Sequence, residues 1–142
     1  MGKSDMFWRK ILACAVIAVL SPNTTAAQVA SGKGELMLDS CTSTANFKLG
    51  LCAGNVSGFI EGYKIANEVG GGAKAFCMPD AASYSQAYDV FVAYLKRHPE
   101  IRHLDWSSLM LASFNDAWPC GNGVTVKPQL NGGLIISPPT RD

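Results

Sequence analysis

Five cysteines and two histidines hold most of the chemical potential of this 142-residue chain. A cysteine can attack a carbonyl, bind a metal or close a disulfide, and its surroundings decide which. Cys41, Cys52, Cys77 and Cys120 each stand beside a helix start or stop signal, outside the helical runs. Four cysteines at helix ends of an exported chain read as two disulfides. A thiol hydrolase needs a free, low-pKa cysteine beside a base. Here every one of the four has a partner at hand, so no nucleophile is expected. His98, Glu100 and His103 are the other group that could hold a metal. Their spacings of two and three residues straddle Pro99. They do not match a helical ligand pair such as His-x-x-x-His, and read as a helix end and a polar loop. Gly70-Gly71-Gly72 lacks the preceding strand and the following Lys-Ser/Thr of a phosphate loop. The sequence therefore points to no catalytic residue, no metal ligand and no cofactor.

The compartment is set at the N-terminus. Lys3, Arg9 and Lys10 precede an uncharged apolar run from Ile11 to Leu20. Ser21-Pro22-Asn23 breaks it, and Thr25-Ala26-Ala27 puts small residues before Gln28. This is the pattern of a cleaved secretory signal over residues 1–27. Cys14 falls inside it. The apolar run is too short for a stable membrane anchor, which needs about 20 residues. Of 12 basic and 11 acidic residues, the exported part from Gln28 keeps 9 and 10. Such a balance provides no basic stripe for nucleic acid and no polybasic tail for a membrane surface.

Four helices must position whatever this chain presents. A short one is expected over Glu35 to Cys41, then a turn from Thr42 to Asn46. A second runs from about Leu51 to Val69, with Val56, Phe59, Ile60 and Tyr63 at helical spacing. Gly54, Gly58 and Gly62 recur every four residues along it. Each costs about 1 kcal/mol of helix propensity against alanine, so another helix is expected to pack closely there, inside a soluble core. Ser83 and Gln86 have capping-box spacing and open a third helix that ends at His98-Pro99. Asp105 is the expected N-cap of a fourth, with Leu104 and Leu109 as its hydrophobic staple and Trp118-Pro119 as its end. Residues 121–142 change to glycine, proline and asparagine. Val124 to Val126 and Leu134 to Ile136 are β-prone, Asn131-Gly132-Gly133 could turn between them, and Pro128 weakens a regular hairpin. A disordered tail and a small β-ribbon both fit. The fold class is all-α: a four-helix domain over 28–120 with an irregular or weakly β tail.

Four cysteines allow three pairings. Cys41 closes the first helix and Cys52 lies across a short turn. Cys77 precedes the third helix and Cys120 follows the fourth. A short connection makes helices three and four an antiparallel hairpin, which brings the start of one beside the end of the other. The expected bonds are Cys41–Cys52 and Cys77–Cys120.

The ordered set Cys52-Ala-Gly, Gly58-Phe-Ile-Glu-Gly62, Phe76-Cys-Met-Pro79, His98-Pro-Glu100 and Trp118-Pro-Cys120 resembles the Rap/Tai family. These are immunity proteins for type VI secretion amidase effectors. The resemblance spans Leu36 to Cys120; the tail lies outside it. It implies a periplasmic, all-helical, often homodimeric protein. The implied partner is a cognate peptidoglycan amidase whose cleft it blocks. A periplasmic stress chaperone or an adaptor of similar fold is the alternative. Two loops could enter a cleft: Glu68 to Lys74, rich in glycine, and Glu100 to Asp105, which carries Arg102 and His103.

Overall fold

The computed structural model describes residues 33–71, 73–121 and 123–138. The signal sequence expected over 1–27 lies outside them. Four helices follow in order: α1 (Gly34–Thr42), α2 (Asn46–Gly70), α3 (Tyr84–Arg97) and α4 (Trp106–Ala117). A 3-10 turn (Pro99–Ile101) joins α3 to α4, and strands β1 (Thr125–Pro128) and β2 (Leu134–Ser137) close the chain.

The core forms where helical spacing brings apolar side chains to one side. Cys52, Val56 and Ile60 are the buried residues of α2. They meet Phe91 and Leu95 of α3 and Leu109, Met110 and Phe114 of α4 in a single buried cluster. Phe114 is the hub of an aromatic group. Its ring centre lies 5.2 Å from Phe76, 5.7 Å from Trp118 and 6.0 Å from Phe59.

Helix α2 begins at Asn46, five residues before the sequence signal. Its first turn projects into solvent, so it carries no apolar period to read. The turn before it is only Ser43 to Ala45, where Ser43 Oγ accepts a hydrogen bond from the Ala45 amide at 3.1 Å. The capping box of α3 is formed. The Gln86 amide donates to Ser83 Oγ at 3.2 Å, and the Ser83 amide donates to Gln86 Oε1 at 2.9 Å. Asp105 stands at the N-cap of α4, but its carboxylate caps nothing. It accepts from Lys33 Nζ at 3.3 Å instead. The staple residues Leu104 and Leu109 are both buried.

The glycine stripe departs from expectation. Gly54, Gly58 and Gly62 face outward, and a Cβ added to any of them meets nothing within 4 Å among the described residues. The reason is angular. At about 100° per residue, each glycine lies roughly 200° around the helix from a buried side chain two positions earlier. Cys52, Val56 and Ile60 claim the core side, so the glycines fall on the opposite one.

Both expected disulfides are present, with Cα atoms 5.2 Å apart for Cys41–Cys52 and 5.1 Å for Cys77–Cys120. The tail forms an antiparallel ribbon in which Val126 pairs with Ile136. Gly132, at φ 98°, makes the tight turn. Pro128 is tolerated because each strand of a two-stranded ribbon is an edge. Val126 is buried and anchors the ribbon to the helices.

Candidate functional site

The connection from α2 to α3 is the first loop of interest. Gly71, at φ 57°, ends α2, and its amide donates to Asn67 O at 3.1 Å. The next residues are held by two polar side chains, the half-buried Tyr63 and the buried Asn115. Tyr63 Oη accepts from the amides of Ala75 at 2.7 Å and Phe76 at 3.0 Å, while its ring stacks on Phe76 with centres 4.1 Å apart. Asn115 Nδ2 donates to Ala75 O and, at 2.7 Å, to Val124 O. Its Oδ1 accepts from the Val126 amide at 3.0 Å. One asparagine thus ties α4 to both the loop and the tail. The Cys77 amide donates to Trp118 O at 2.8 Å, and Cys77–Cys120 closes the same corner. Gly123 is required there, since a Cβ would stand 2.7 Å from Lys74 O and 2.6 Å from Cys120 Cβ.

This corner opens into a cavity of about 400 Å³ whose lining includes Tyr63, Asn67, Glu68, Lys74, Phe76 and Asp80. Glu68 and Lys74, paired by sequence reasoning, are therefore brought to one place. Asp80 joins them, which the sequence did not suggest. On its rim Lys64 Nζ contacts Glu61 Oε1 at 3.0 Å. The Tyr84 hydroxyl donates to the same carboxylate. The Tyr84 hydrogen bond, and then that of Lys64, hold the Glu61 carboxyl below its ordinary 4.5. The Glu61 hydrogen bond in turn pushes the Lys64 ammonium up.

The second loop, His98 to Asp105, sits at the other end of the α3–α4 hairpin. The 12 residues of α4 separate the two loops, about 18 Å at 1.5 Å per residue. They are two surfaces. Arg102 is structural as well as polar. Its Nε donates to Leu95 O at 2.7 Å and its Nη2 to Lys96 O at 3.2 Å. These carbonyls end α3 and have no partner within the helix. His103 Nε2 lies 3.0 Å from Leu130 O, which fastens the loop to the ribbon turn. Glu100 projects outward, 3.1 Å from His98 Nδ1. Its own backbone amide, and then His98, lower its pKa.

Sequence reasoning missed Tyr63 as a loop anchor and missed Asn115 altogether. Asn115 did leave a signal: it is a polar residue at a buried position of an otherwise apolar helix.

The arrangement holds loops in place. All four described cysteines are bonded, and no three His, Cys, Asp or Glu side chains converge among the described residues. Nor is any described helix long and apolar enough to cross a membrane. Fold and site define a small helical domain, cross-linked by two disulfides, that presents two separate pinned loops; Cys52, expected at a helix start, lies inside α2 because that helix begins at Asn46. Residues 33–120 match the model of the Rap1a immunity proteins, and the chain belongs to that family. Comparison with curated proteins and with solved structures finds no match.

Proposed function

We propose that this protein is an exported immunity protein that binds a type VI secretion peptidoglycan amidase and blocks its cleft, without catalysis of its own. The family match and the two disulfides, which suit an oxidising compartment such as the periplasm, support the reading. The observation that carries the choice of surface is the clamping of Ala75 to Cys77 by Tyr63, Asn115 and a disulfide. A loop fixed before binding loses little entropy on entering a cleft. Glu68 and Lys74 stand beside it and enter no ion pair among the described residues. They are the contact residues of choice, with Glu100 and His103 of the second loop as a subsidiary contact. Arg102 and Asp105 hold that loop in shape.

The reading predicts an amidase gene beside this one, and the test measures release of stem peptides from purified cell walls by its product. Charge reversal of Glu68 and Lys74 together is expected to weaken inhibition at least tenfold, and reversal of Glu100 to change it less. Failure of the unaltered protein to bind or inhibit that amidase refutes the function. Inhibition untouched by the first pair and lost on the second moves the contact to the other loop. Mass analysis of exported protein is expected to find Gln28 at the N-terminus.

A further inference from the structure

The two disulfides differ in access. Cys41 and Cys52 are 2% and 0% exposed and belong to the core cluster. Cys77 is exposed and Cys120 half-buried. A disulfide opens when a thiolate reaches one of its sulfurs. Of the two bonds, Cys77–Cys120 meets that condition, and Cys77 is its more open end.

Cys77 also lines the cavity of about 400 Å³ beside α2. That volume lies in the ordinary range of small-ligand sites, roughly 300–1,000 Å³. The lining carries both signs of charge: Lys64 and Lys74 bring ammonium groups, Glu68 and Asp80 carboxylates. Lys64 is engaged by Glu61 at 3.0 Å. Lys74, Glu68 and Asp80 enter no ion pair among the described residues. The stacked rings of Tyr63 and Phe76 add an apolar wall. This lining suits a small molecule that carries one group of each charge on a short body. The accessible disulfide beside it adds a reaction that such a molecule can undergo if it is also a thiol.

The geometry points to a thiol–disulfide exchange site at Cys77, taking an amino-acid or small-peptide thiol that bears both a carboxylate and an ammonium group. Lys74 draws the carboxylate, and Glu68 and Asp80 draw the ammonium. The ligand thiolate bonds to Cys77 Sγ as the bond between the two protein sulfurs breaks. The electron pair leaves on Cys120 Sγ, which takes a proton from water. The product is a mixed disulfide at Cys77 and a free thiol at Cys120. A second ligand thiolate then attacks the ligand sulfur of that mixed disulfide and releases Cys77 as a thiolate. In sum, two thiols are oxidised to one disulfide, and the protein bond is reduced by two electrons.

The fold has other ties while this bond is open. Tyr63 and Asn115 still hold Ala75, and the Cys77 amide still donates to Trp118 O at 2.8 Å. Cys41–Cys52 stays closed in the core. What is released is the covalent link between the α2–α3 loop and the tail. Inhibition by that loop thereby becomes sensitive to thiols, and this consequence alone rests on the amidase as partner.

The test treats the exported, oxidised protein with four thiols. Cysteine and glutathione carry both charged groups, cysteamine the ammonium alone and 3-mercaptopropionate the carboxylate alone. Peptide mapping after alkylation follows each protein sulfur. Each rate is divided by that of the same thiol on an unstructured disulfide peptide, which removes differences in intrinsic nucleophilicity. Cysteine, glutathione or both are expected to open Cys77–Cys120 at least about fivefold faster than the singly charged thiols. The adduct is expected on Cys77, with Cys41–Cys52 intact. Lys74→Gln and Glu68→Gln should each reduce the preference at least about twofold. A preference for cysteine identifies an amino acid as the ligand, and one for glutathione a peptide. Equal normalised rates for all four thiols overturn the inference. So does an adduct on Cys120, simultaneous opening of both bonds, or a preference unchanged in both variants. No amidase enters the assay, so failure of the immunity function and failure of this inference are separate results.

Discussion

Replacing Gly54, Gly58 and Gly62 with alanine should stabilise the folded monomer. All three lie in the interior of a 25-residue helix. None has a positive φ, and an added Cβ at each meets open space. With no packing term, only helix propensity remains. Alanine is favoured over glycine there by about 0.8–1 kcal/mol per site, because glycine loses more backbone entropy on folding. The sites are independent, so the triple variant should gain roughly 2–3 kcal/mol. For a domain of this size that raises the melting temperature by roughly 10 °C. The assay is urea denaturation followed by far-UV circular dichroism. The midpoint should rise by about 1 M or more with an unchanged slope. Gly34→Ala is the internal control with opposite sign. Its Cβ would run into Leu109 and come 3.1 Å from Arg102 O. Crowding of that kind in a packed core costs about 1–3 kcal/mol. Loss of stability in the triple variant would refute the reasoning, since it would require some segment to pack against the glycine face within one chain.

Asn115→Ala should destabilise by about 2–4 kcal/mol, because the Val126 amide and the Ala75 and Val124 carbonyls lose their partner. Amide exchange at Val126 should accelerate with it. Replacing Cys77 and Cys120 together by alanine opens a closure of 43 residues, costing up to about 4 kcal/mol by chain entropy. It should weaken inhibition as well as stability if the loop is the inhibitory element. Glu61 titrates below its ordinary value in the folded protein. Its contribution is therefore complete above the unfolded carboxylate value of about 4.3 and lost as pH falls through the lower folded one. The stability difference between wild type and Glu61→Gln should shrink across that acid window, and an NMR titration of Glu61 should show the lowered midpoint.

Sequence alone determined the parts governed by local rules. Ser83 and Gln86 cap α3 because that spacing satisfies two orphan amides wherever it occurs. Leu104 and Leu109 staple α4 for an equally local reason. The Cys77–Cys120 pairing followed from the antiparallel hairpin, which brings the start of one helix beside the end of the other, and Cys41–Cys52 from the short turn between them. Chain proximity could not say which side of α2 faces inward. The same four-residue spacing describes Cys52, Val56 and Ile60 as well as Gly54, Gly58 and Gly62, and both sets look like contact faces. Only the packing of α3 and α4 against the first set decided that the second faces solvent. The join of Asn115 to Ala75, 40 residues away, was hidden for the same reason. A buried amide finds its partners through space, and a sequence records only that it is polar. The loops were legible as loops because glycine and proline mark them locally. That they lie at opposite ends of the hairpin follows from its expected antiparallel order; which one is clamped was decided by tertiary contacts alone.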